Sequence, residues 1–509
     1  MPWNRGRPFQ ADQGRRHAAV ATLIGTGATV AITVGQAFLL IPLALARLGT
    51  ETYGSWLAAS ELLVWVQLLD FGIPNLLTQR IGAAVGRRDA ELASRWTWTG
   101  LTALLIIGLL LATVATWVAP SVTRWANVSE SIAVDFTASF EVGAVASALI
   151  LVSNGVVGVA RGAQLTGMVN AAQVSGALAG LVSTLVLLVM DVGIWSFPIG
   201  LLARAVVNSA GAGWFLVRAR RNVGLVPRLP SRSILRETIS LGPSMAAASA
   251  GYLVANNTEI ILVTSLFGPV TAAVYTLTRR GFDAARNLLD SIAWAVYGGF
   301  AHLVTADDRH RARGVLRDIL WLRLAGASIC GAIIVAVNES FVSLLFGPEN
   351  FGGMWLTIAF ALQMILGGQA FLCNYLLRAA GRVREGSYLL GAESALRLAA
   401  IVAGLMTAGL AGGPLAAALV SGVTLLVTFR YIDRELPGSA VSLESPRLAA
   451  HVSPAAVLGI GLVLSAASDL HSWPQVALAA MLTLALGAGV FWVTAPPLLE
   501  RSLFRWSRS

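Results

Sequence analysis

The sequence contains no lysine and little charge of any kind. Only 12% of its 509 residues are charged and 56% are hydrophobic, whereas soluble domains carry roughly 25% charged residues. All 36 basic residues are arginine. Because so few charged residues are available to face water, composition alone predicts a membrane protein.

Cysteine and histidine are also scarce. The two cysteines, Cys330 and Cys373, both lie in apolar segments, which favours small core residues over a disulfide or a metal site. The five histidines lack the spacing of metal ligands, so we predict no metal site and no cofactor. No phosphate-binding loop, nucleophile elbow or zinc motif occurs, and the prediction is therefore a protein that is not an enzyme.

Long apolar runs are abundant, and they predict fourteen membrane spans. Each run reaches or exceeds the roughly 17–25 residues that a helix needs to cross a bilayer, except for a short thirteenth one. The predicted spans are 19–46, 53–82, 96–119, 136–160, 166–190, 193–217, 237–266, 270–302, 316–338, 351–378, 386–409, 412–432, 451–468 and 474–495.

The arginines are distributed unevenly among the predicted loops. The two tails and alternate loops hold 28 of the 36, two lie in the other loops, and six lie within spans. Positive residues accumulate on the cytoplasmic side of membrane proteins. We therefore predict a multi-pass membrane protein with both termini in the cytoplasm, in contact with membrane lipids.

Weak sequence repeats recur at a common offset. The string LLD occurs at 68–70 in span 2 and again at 288–290 in span 8, and other short matches share nearly the same offset. An offset of six spans predicts two six-helix lobes in parallel pseudo-twofold repeat around a central cavity, followed by two C-terminal helices. The predicted segments are a cytoplasmic N-terminal tail (1–18), an N-lobe with helices 1–6 (19–217), a cytoplasmic inter-lobe linker (218–236), a C-lobe with helices 7–12 (237–433), a cytoplasmic linker (434–450), helices 13 and 14 (451–495) and a cytoplasmic tail (496–509).

Span 8 carries the densest group of charges within an apolar run. It contains Arg279, Arg280, Asp283, Arg286 and Asp290, and the spacing places all of these except Arg280 on one helix face with alternating sign. Charges at bilayer depth usually face a bundle interior or a watery cavity. This face is either a self-neutralised stripe that joins helices or the charged wall of a translocation cavity.

Carboxylates in spans 2 and 7 are further candidates. Asp70 precedes Gly72 and Pro74, so a kink is expected there. Asp70 either satisfies backbone groups freed by the kink or is a cavity carboxylate that takes up a proton or cation, with Glu61 on a nearby face. Glu259 in span 7 is either a proton or sodium site or the partner of an arginine such as Arg279.

Four more charges lie inside spans. Glu393 and Arg397 lie one helix turn apart in span 11, which predicts a local ion pair. Arg204 in span 6 and Arg323 in span 9 have no carboxylate nearby in sequence. Each either extends towards the cytoplasmic surface or contributes to a basic cavity.

Two blocks of sequence resemble the polysaccharide biosynthesis (O-antigen and oligosaccharide) flippase family. The segment 48–93 resembles the opening of helix 2 and the acidic-basic loop that follows it, and the segment from Leu266 is similar to the entry into helix 8. The matching positions are Leu48, Gly49, Tyr53, Gly54, Asp70, Gly72 and Arg87–Asp89. The resemblance implies the all-α fold of the multidrug/oligosaccharidyl-lipid/polysaccharide exporter superfamily.

Members of that family flip polyprenyl-diphosphate-linked oligosaccharides to the outer leaflet by alternating access. The resemblance therefore implies a lipid-linked glycan as substrate, with glycosyltransferases or a polymerase of the same pathway as further candidate partners and no nucleic acid. Arginine suits a diphosphate because its guanidinium group makes bidentate contacts with phosphate oxygens. The arginines predicted to bind the substrate are Arg279, Arg280, Arg286, Arg204, Arg323 and Arg397, and the predicted coupling or cavity carboxylates are Asp70, Asp283, Asp290, Glu259 and Glu61.

Two alternatives stay open. A cation-coupled multidrug exporter shares the fold, although many prokaryotic members use an acidic residue in helix 1, and span 1 here has no carboxylate. A non-transporting scaffold of an envelope-glycan complex is the other alternative. The scaffold is favoured if the charges within the spans pair only with one another.

Overall fold

The structure is a computed structural model that describes residues 11–126, 128–163, 165–305, 309–435, 448–467 and 470–494. Its helices are α1 (Ala11–Val66), α2 (Ile73–Gly86), α3 (Ala90–Trp125), α4 (Ala133–Gly162), α5 (Thr166–Val189), α6 (Ser196–Val223), α7 (Arg232–Phe267), α8 (Pro269–Thr305), α9 (Arg309–Phe346), α10 (Met354–Ala379), α11 (Val383–Glu435), α12 (Leu448–Ala467) and α13 (Trp473–Thr494). Within the described ranges no strand occurs, so the predicted all-α fold is confirmed.

Every predicted span consists largely of helical residues; α1 contains span 1 and the first part of span 2, and α11 contains spans 11 and 12. The backbone of α1 breaks at Gly49, whose φ is 77°, and that of α11 breaks at Ala408 and Gly409. Eight helices of the described part of the chain are long and apolar enough to cross a membrane by length and composition. The chain is therefore a multi-pass membrane protein.

Span 2 contains the expected kink as a complete break. A short 3-10 turn, Gln67–Asp70, follows α1, and then Phe71 and Gly72 adopt positive φ angles of 48° and 69°. Pro74 lies in the first turn of α2, where its missing N–H leaves no helix hydrogen bond unmade. The chain thus changes direction at the point where the sequence places Asp70.

The chain forms two compact units, residues 1–250 and 251–509. The boundary lies inside α7, whereas the inter-lobe linker was predicted at 218–236. Most of that predicted linker is helical, since α6 continues to Val223 and α7 begins at Arg232. The two predicted tails and the linker at 434–450 lie largely outside the described residues.

Each unit is built around one strongly buried helix. These are α4 in the N-terminal unit and α10 in the C-terminal unit. In each helix, 72% of the residues in the most apolar 18-residue stretch are buried. α4 packs against α2, α3 and α6, while α10 packs against α8, α9 and α11. α4 and α10 contain the fourth and tenth predicted spans, as an offset of six spans requires.

Positive-φ glycines recur at matching places in the two units. Gly49 opens span 2 and Gly268 opens span 8, its counterpart in the repeat. Gly193 precedes α6, which contains span 6, and Gly409 precedes the second half of α11, which contains span 12. A positive φ is accessible to glycine at little steric cost, so these positions mark equivalent tight connections in the two repeats.

The last two helices add to the C-terminal unit. α12 and α13 pack against α9 and against each other. Trp321 of α9 meets Phe491 of α13 edge to face, and the backbone of α12 approaches α9 closely, because a Cβ on Gly461 would lie 2.4 Å from the carbonyl oxygen of Ala332. One side of α9 is therefore covered by protein.

Candidate functional site

A small polar pocket lies wholly within the C-terminal unit. It has a volume of about 50 Å³ and is formed by residues of α8, α10 and α11. Its charged lining residues are Arg279, Asp283, Arg286, Asp290, Glu393 and Arg397. The structure thus confirms that Arg279, Asp283, Arg286 and Asp290 share one face of α8, because all four border the same pocket.

Glu259 of α7 is the centre of a buried polar network beside this pocket. Its side chain is 2% exposed, and it accepts hydrogen bonds from the Tyr275 hydroxyl (2.9 Å) and from Gln363. Nη1 of Arg279 lies 3.4 Å from Oε2 of Glu259, and Nη2 of Arg397 lies 3.5 Å from Oε1. Both carboxylate oxygens are therefore engaged, and Glu259 is the partner of Arg279, one of the two alternatives that the sequence left open.

Asp283 links two arginines of its own helix. Its Oδ2 lies 3.0 Å from Nε of Arg279 and its Oδ1 lies 3.3 Å from Nη2 of Arg286. The Arg286 side chain is 22% exposed, compared with 9% for Arg279. Arg286 is therefore the pocket arginine on α8 that a ligand can reach most easily.

Arg323 forms a fully buried ion pair behind the pocket. Its Nη2 lies 2.6 Å from Oδ1 of Asp290, and the two side chains are 0% and 4% exposed. Arg323 does not border the pocket. Arg323 therefore neither extends to the surface nor lines a basic cavity, and both predictions for this residue were wrong. The reason is that Asp290, a carboxylate of the neighbouring helix α8, pairs with it inside the unit.

The ion pair predicted between Glu393 and Arg397 is also wrong. Arg397 contacts Glu259 of another helix, while Oε1 of Glu393 accepts a hydrogen bond of 2.8 Å from the Ser421 hydroxyl. Both side chains are buried and both border the pocket. The ion pair of Arg397 thus joins two helices, α11 and α7, rather than two turns of α11.

The remaining predicted site residues do not border this pocket. Asp70 lies in the N-terminal unit, where its Oδ1 accepts a hydrogen bond of 2.7 Å from the backbone N–H of Gly72. Glu61 is half-buried on α1, and Arg204 is exposed on α6. Arg280 is half-buried on α8, next to the pocket arginine Arg279. The predicted residues therefore divide between the two units.

Several uncharged members of the site were not predicted. Tyr275 and Gln363 bind Glu259, and Ser421 binds Glu393. Gly367 and Gly368 line the pocket beside arginine side chains. The available signal was Gln363 within a largely apolar helix, since polar side chains in membrane helices usually bond across helices.

The arrangement suits an oxyanion better than a metal ion. A guanidinium group binds carboxylate and phosphate oxygens through the same fork of N–H donors, so the pocket arginines already hold groups that resemble a phosphate. Within the described residues no group of three or more histidine, cysteine, aspartate or glutamate side chains is arranged to hold a metal.

Solved structures of similar fold support the architecture. An inward-facing multidrug resistance transporter of the MATE family, MOP superfamily, superposes with a TM-score of 0.65 at 16% identity, over 81% of this chain and 94% of that one. An outward-facing structure of such a MATE transporter gives 0.63 at 17% identity, over 82% and 95%. A MOP superfamily transporter from Pyrococcus furiosus gives 0.59 at 16% identity, over 82% and 95%. The chain therefore has the fold of MOP superfamily transporters.

Sequence comparisons give one short and one extensive match. Multidrug resistance protein NorM of Xanthomonas axonopodis pv. citri (strain 306), described as probable, is 30% identical over 96 residues, which are 18% of this chain and 21% of NorM. The profile of the family described as polysaccharide biosynthesis protein matches residues 44–350, about three fifths of the chain. This match extends from the end of span 1 through α9 and includes the charged segment of α8. The chain belongs to the polysaccharide biosynthesis protein family.

Proposed function

We propose that this protein moves a polyprenyl-diphosphate-linked oligosaccharide or polysaccharide precursor from the cytoplasmic to the outer leaflet of the bacterial inner membrane. The observation that carries the proposal is the arginine-lined pocket of the C-terminal unit in a chain whose family is described by polysaccharide biosynthesis. Arginine pairs bidentately with phosphate oxygens and stays charged under all physiological conditions.

Arg286 is the first contact for the diphosphate in this proposal. It is the most exposed of the pocket arginines that pair with carboxylates. Asp283, its partner, keeps Arg279 if Arg286 turns towards a ligand. A phosphate can therefore replace Asp283 at Arg286 without leaving a buried carboxylate unpaired, which would be strongly destabilising.

The size of the pocket limits what enters it. Pockets for drug-sized ligands measure about 300–1,000 Å³, and this one measures about 50 Å³. In this conformation the pocket is too small for a drug-sized ligand. The sugars and the polyprenyl chain of the proposed substrate therefore remain outside it, and only the charged head engages the arginines.

A reconstituted flipping assay tests the proposal. Vesicles would contain the purified protein and a short polyprenyl diphosphate disaccharide with a fluorescent label, and dithionite added outside would bleach only the label in the outer leaflet. We expect wild-type protein to expose the whole labelled pool and Arg286→Gln to slow exposure about tenfold or more, the value of one or two charge-assisted hydrogen bonds.

The matched control is Arg95→Gln. Arg95 also pairs with a carboxylate on its own helix, Glu91 at 2.8 Å, but lies exposed on α3 in the other unit. Equal flipping rates for Arg286→Gln and Arg95→Gln, with both proteins melting like the wild type, would remove the assigned role of the pocket arginines. The same vesicles carrying a diphosphate without sugars would report whether the glycan is needed.

Export of cationic drugs is the second candidate function. The short match to NorM favours it, as does the presence of as many carboxylates as arginines around the pocket. This function predicts efflux of cationic dyes from cells that express the protein and unchanged surface glycan when the protein is deleted. The flippase proposal predicts the reverse of both results.

Three further features belong to the proposal. Both termini face the cytoplasm, in agreement with the concentration of arginine in the tails and alternate loops. Glycosyltransferases or a polymerase of the same pathway are the expected protein partners, and membrane lipids surround the helices. The chemistry of the polar pocket selects the diphosphate rather than one particular glycan.

A further inference from the structure

The segment that joins α6 to α7 carries positive charge without compensating carboxylates. Residues 218–236 contain six arginines and neither aspartate nor glutamate. All six arginines are exposed, and within the described part of the chain none of them forms an ion pair. They are Arg218, Arg220, Arg221, Arg228, Arg232 and Arg236. This uncompensated charge attracts anions to the segment.

Exposed apolar side chains lie among these arginines. Leu229, between two prolines, is 89% exposed, and no other large apolar side chain in the described part of the chain is more exposed. In the first turns of α7, the spacing of positions 232, 235, 236 and 239 places two arginines and two aliphatic residues on one helix face. Ile239 on that face is 64% exposed. We call six residues the linker patch: Arg228, Leu229, Arg232, Leu235, Arg236 and Ile239.

Hydrogen bonds place the loop close to the level at which α3 becomes apolar on its outer face. The backbone N–H of Val226 donates to the Ser94 hydroxyl, and that of Ser231 donates to the Thr99 hydroxyl. The exposed apolar face of α3 begins at Leu105, which is 50% exposed. The helix rises only about 9 Å from Thr99 to Leu105, and the headgroup layer of a bilayer is about 5–8 Å deep on each side. The linker patch therefore lies at the level of the lipid headgroups.

The linker patch is held in place before any ligand binds. Leu225, at the start of the loop, is 2% exposed, and Pro227 and Pro230 fix the backbone φ angle on both sides of Leu229. At the other end of the patch, Glu237 of α7 pairs with Arg80 of α2. Because the segment is already ordered, binding loses little conformational entropy.

We propose that the linker patch docks on the headgroups of anionic phospholipids, with Leu229 inserted at the boundary between headgroups and acyl chains. Arginine pairs bidentately with phosphate oxygens, and each arginine near an anionic membrane surface strengthens binding about fivefold. Arginines mixed with exposed aliphatic side chains are typical of segments that lie in the membrane interface. An acidic protein would also satisfy the arginines, but the position of the patch at headgroup level favours the membrane surface.

This docking site goes beyond the proposed function and does not depend on it. On the predicted topology the patch faces the cytoplasmic leaflet. It names a specific segment and a specific class of lipid, whereas the general concentration of arginine in alternate loops predicts only which side of the membrane the loops occupy.

The first test measures binding of a fluorescent phosphatidylglycerol to the purified full-length protein in neutral detergent. We expect the double variant Arg228→Gln and Arg232→Gln to weaken the tightest binding about tenfold or more, since two arginines are lost. Salt at about 0.5 M should weaken binding to the wild type in the same direction, because it screens exposed charges.

The matched control is the double variant Arg87→Gln and Arg384→Gln. Both residues are exposed and lie outside the linker patch, so the control loses the same charge and should bind the lipid like the wild type. Thermal unfolding of each protein would establish that all are folded.

The second test measures the depth of Leu229 in lipid nanodiscs. A nitroxide is attached to Leu229→Cys in a chain that also carries Cys330→Ala and Cys373→Ala. With phosphatidylglycerol present, we expect the nitroxide to be relaxed more by oxygen, which concentrates in the bilayer, than by a water-soluble nickel chelate. Labels at Leu110→Cys, 62% exposed on α3, and at the exposed Ser129→Cys between α3 and α4 provide the immersed and aqueous references.

Three outcomes would overturn the proposal. The first is equal lipid affinity in the two double variants, which both retain the native cysteines. The second is full competition by soluble glycerol phosphate, which would assign the arginines to a free phosphate ester. The third is a nitroxide at position 229 as accessible to nickel as the aqueous reference, which would leave the patch facing water and a protein as its partner. Failure of the flipping assay would leave this docking site standing.

Discussion

Of two adjacent glycines in α10, Gly368 provides the space for a buried arginine, whereas a side chain at Gly367 would meet only an ordinary contact. A Cβ placed on Gly368 would lie 1.8 Å from Nη2 and 2.4 Å from Cζ of Arg323, so the guanidinium group lies flat against the helix backbone. A Cβ on Gly367 would lie 4.0 Å from Nη1 of Arg397. The ion pair between Arg323 and Asp290 therefore depends on the absence of a side chain at Gly368.

We expect Gly368→Ala to be severely destabilising. The added methyl group would displace the Arg323 guanidinium from Asp290, and breaking a buried ion pair costs about 3–5 kcal/mol. Denaturant unfolding in detergent, followed by tryptophan fluorescence, would measure the change in the free energy of unfolding.

Gly391→Ala is the matched control for this substitution. Gly391 lies on α11, where an added Cβ meets nothing within 4 Å, and a glycine-to-alanine change within a helix stabilises by roughly 0.5–1 kcal/mol. If Gly368→Ala unfolded at the same denaturant concentration as Gly391→Ala, the close packing of Arg323 on α10 would be refuted.

Sequence reasoning at the residue scale succeeded on α8, where four charged side chains share one helix face. The spacing of Arg279, Asp283, Arg286 and Asp290 predicted their common face, because helical periodicity fixes which side chains lie together. It failed for Glu393 and Arg397, since a neighbour on the same helix competes with partners on other helices. Chain order does not reveal those partners until the packing is known.

Elements show the same contrast between local signal and tertiary packing. The proline and glycine after Asp70 predicted a kink, and the structure contains a break with an aspartate bonded to the freed N–H of Gly72. The equivalent LLD string in α8 lies in an unbroken helix, where Asp290 binds Arg323 instead. The aspartate of the repeated string therefore caps a helix break in one repeat and forms a buried ion pair in the other. The sequence match alone did not distinguish these two roles.

The segment that joins α6 to α7 is anchored to α3. The backbone N–H of Val226 donates to the Ser94 hydroxyl at 3.1 Å, and that of Ser231 donates to the Thr99 hydroxyl at 3.0 Å. Arg80 of α2 pairs with Glu237 near the start of α7. The first turns of α7 are thereby fixed to the N-terminal unit, although the helix ends in the other unit.

We expect the double variant Ser94→Ala and Thr99→Ala to loosen this segment. Two backbone N–H groups would lose their acceptors, at about 1 kcal/mol each, and trypsin would then cleave faster after the exposed Arg228. The rate of cleavage at this residue, followed by mass spectrometry of the purified protein, checks the prediction.

Thr113→Ala is the control for that experiment. Thr113 is an exposed residue of α3 whose hydroxyl bonds to Leu109 of its own helix, so its loss should not change cleavage after Arg228. Equal cleavage rates in the control and the double variant would show that the two hydroxyls do not hold the segment.

The described part of the molecule agrees with the predicted all-α fold, and the chain forms two compact units. Fourteen apolar runs and short matches repeated at an offset of six spans were enough to predict this, because hydrophobic length and repetition are visible in sequence. The unit boundary inside α7 was not predictable, since a polar loop is the usual sign of a boundary. The packing of α12 and α13 on α9 depends on shape complementarity, which periodicity does not encode.

Removal of the last two helices should destabilise the C-terminal unit. A chain that ends at Glu435 would expose the face of α9 around Trp321, Ala325 and Ala332, which α12 and α13 now bury. In detergent we expect a lower melting temperature for the truncated protein than for the full chain, measured by size-exclusion chromatography after heating. A truncated protein that melts with the full chain would show that these helices only lie beside the unit.

Both cysteines of the sequence, Cys330 and Cys373, fall in the C-terminal unit, and Cys373 is completely buried. The N-terminal half of the chain contains none. Reaction of Cys373 with a maleimide dye during gradual heating would consequently occur only when the C-terminal unit opens, whereas Cys330 is already partly exposed. The native thiol of Cys373 is therefore a built-in reporter of unfolding in the unit that contains the charged pocket.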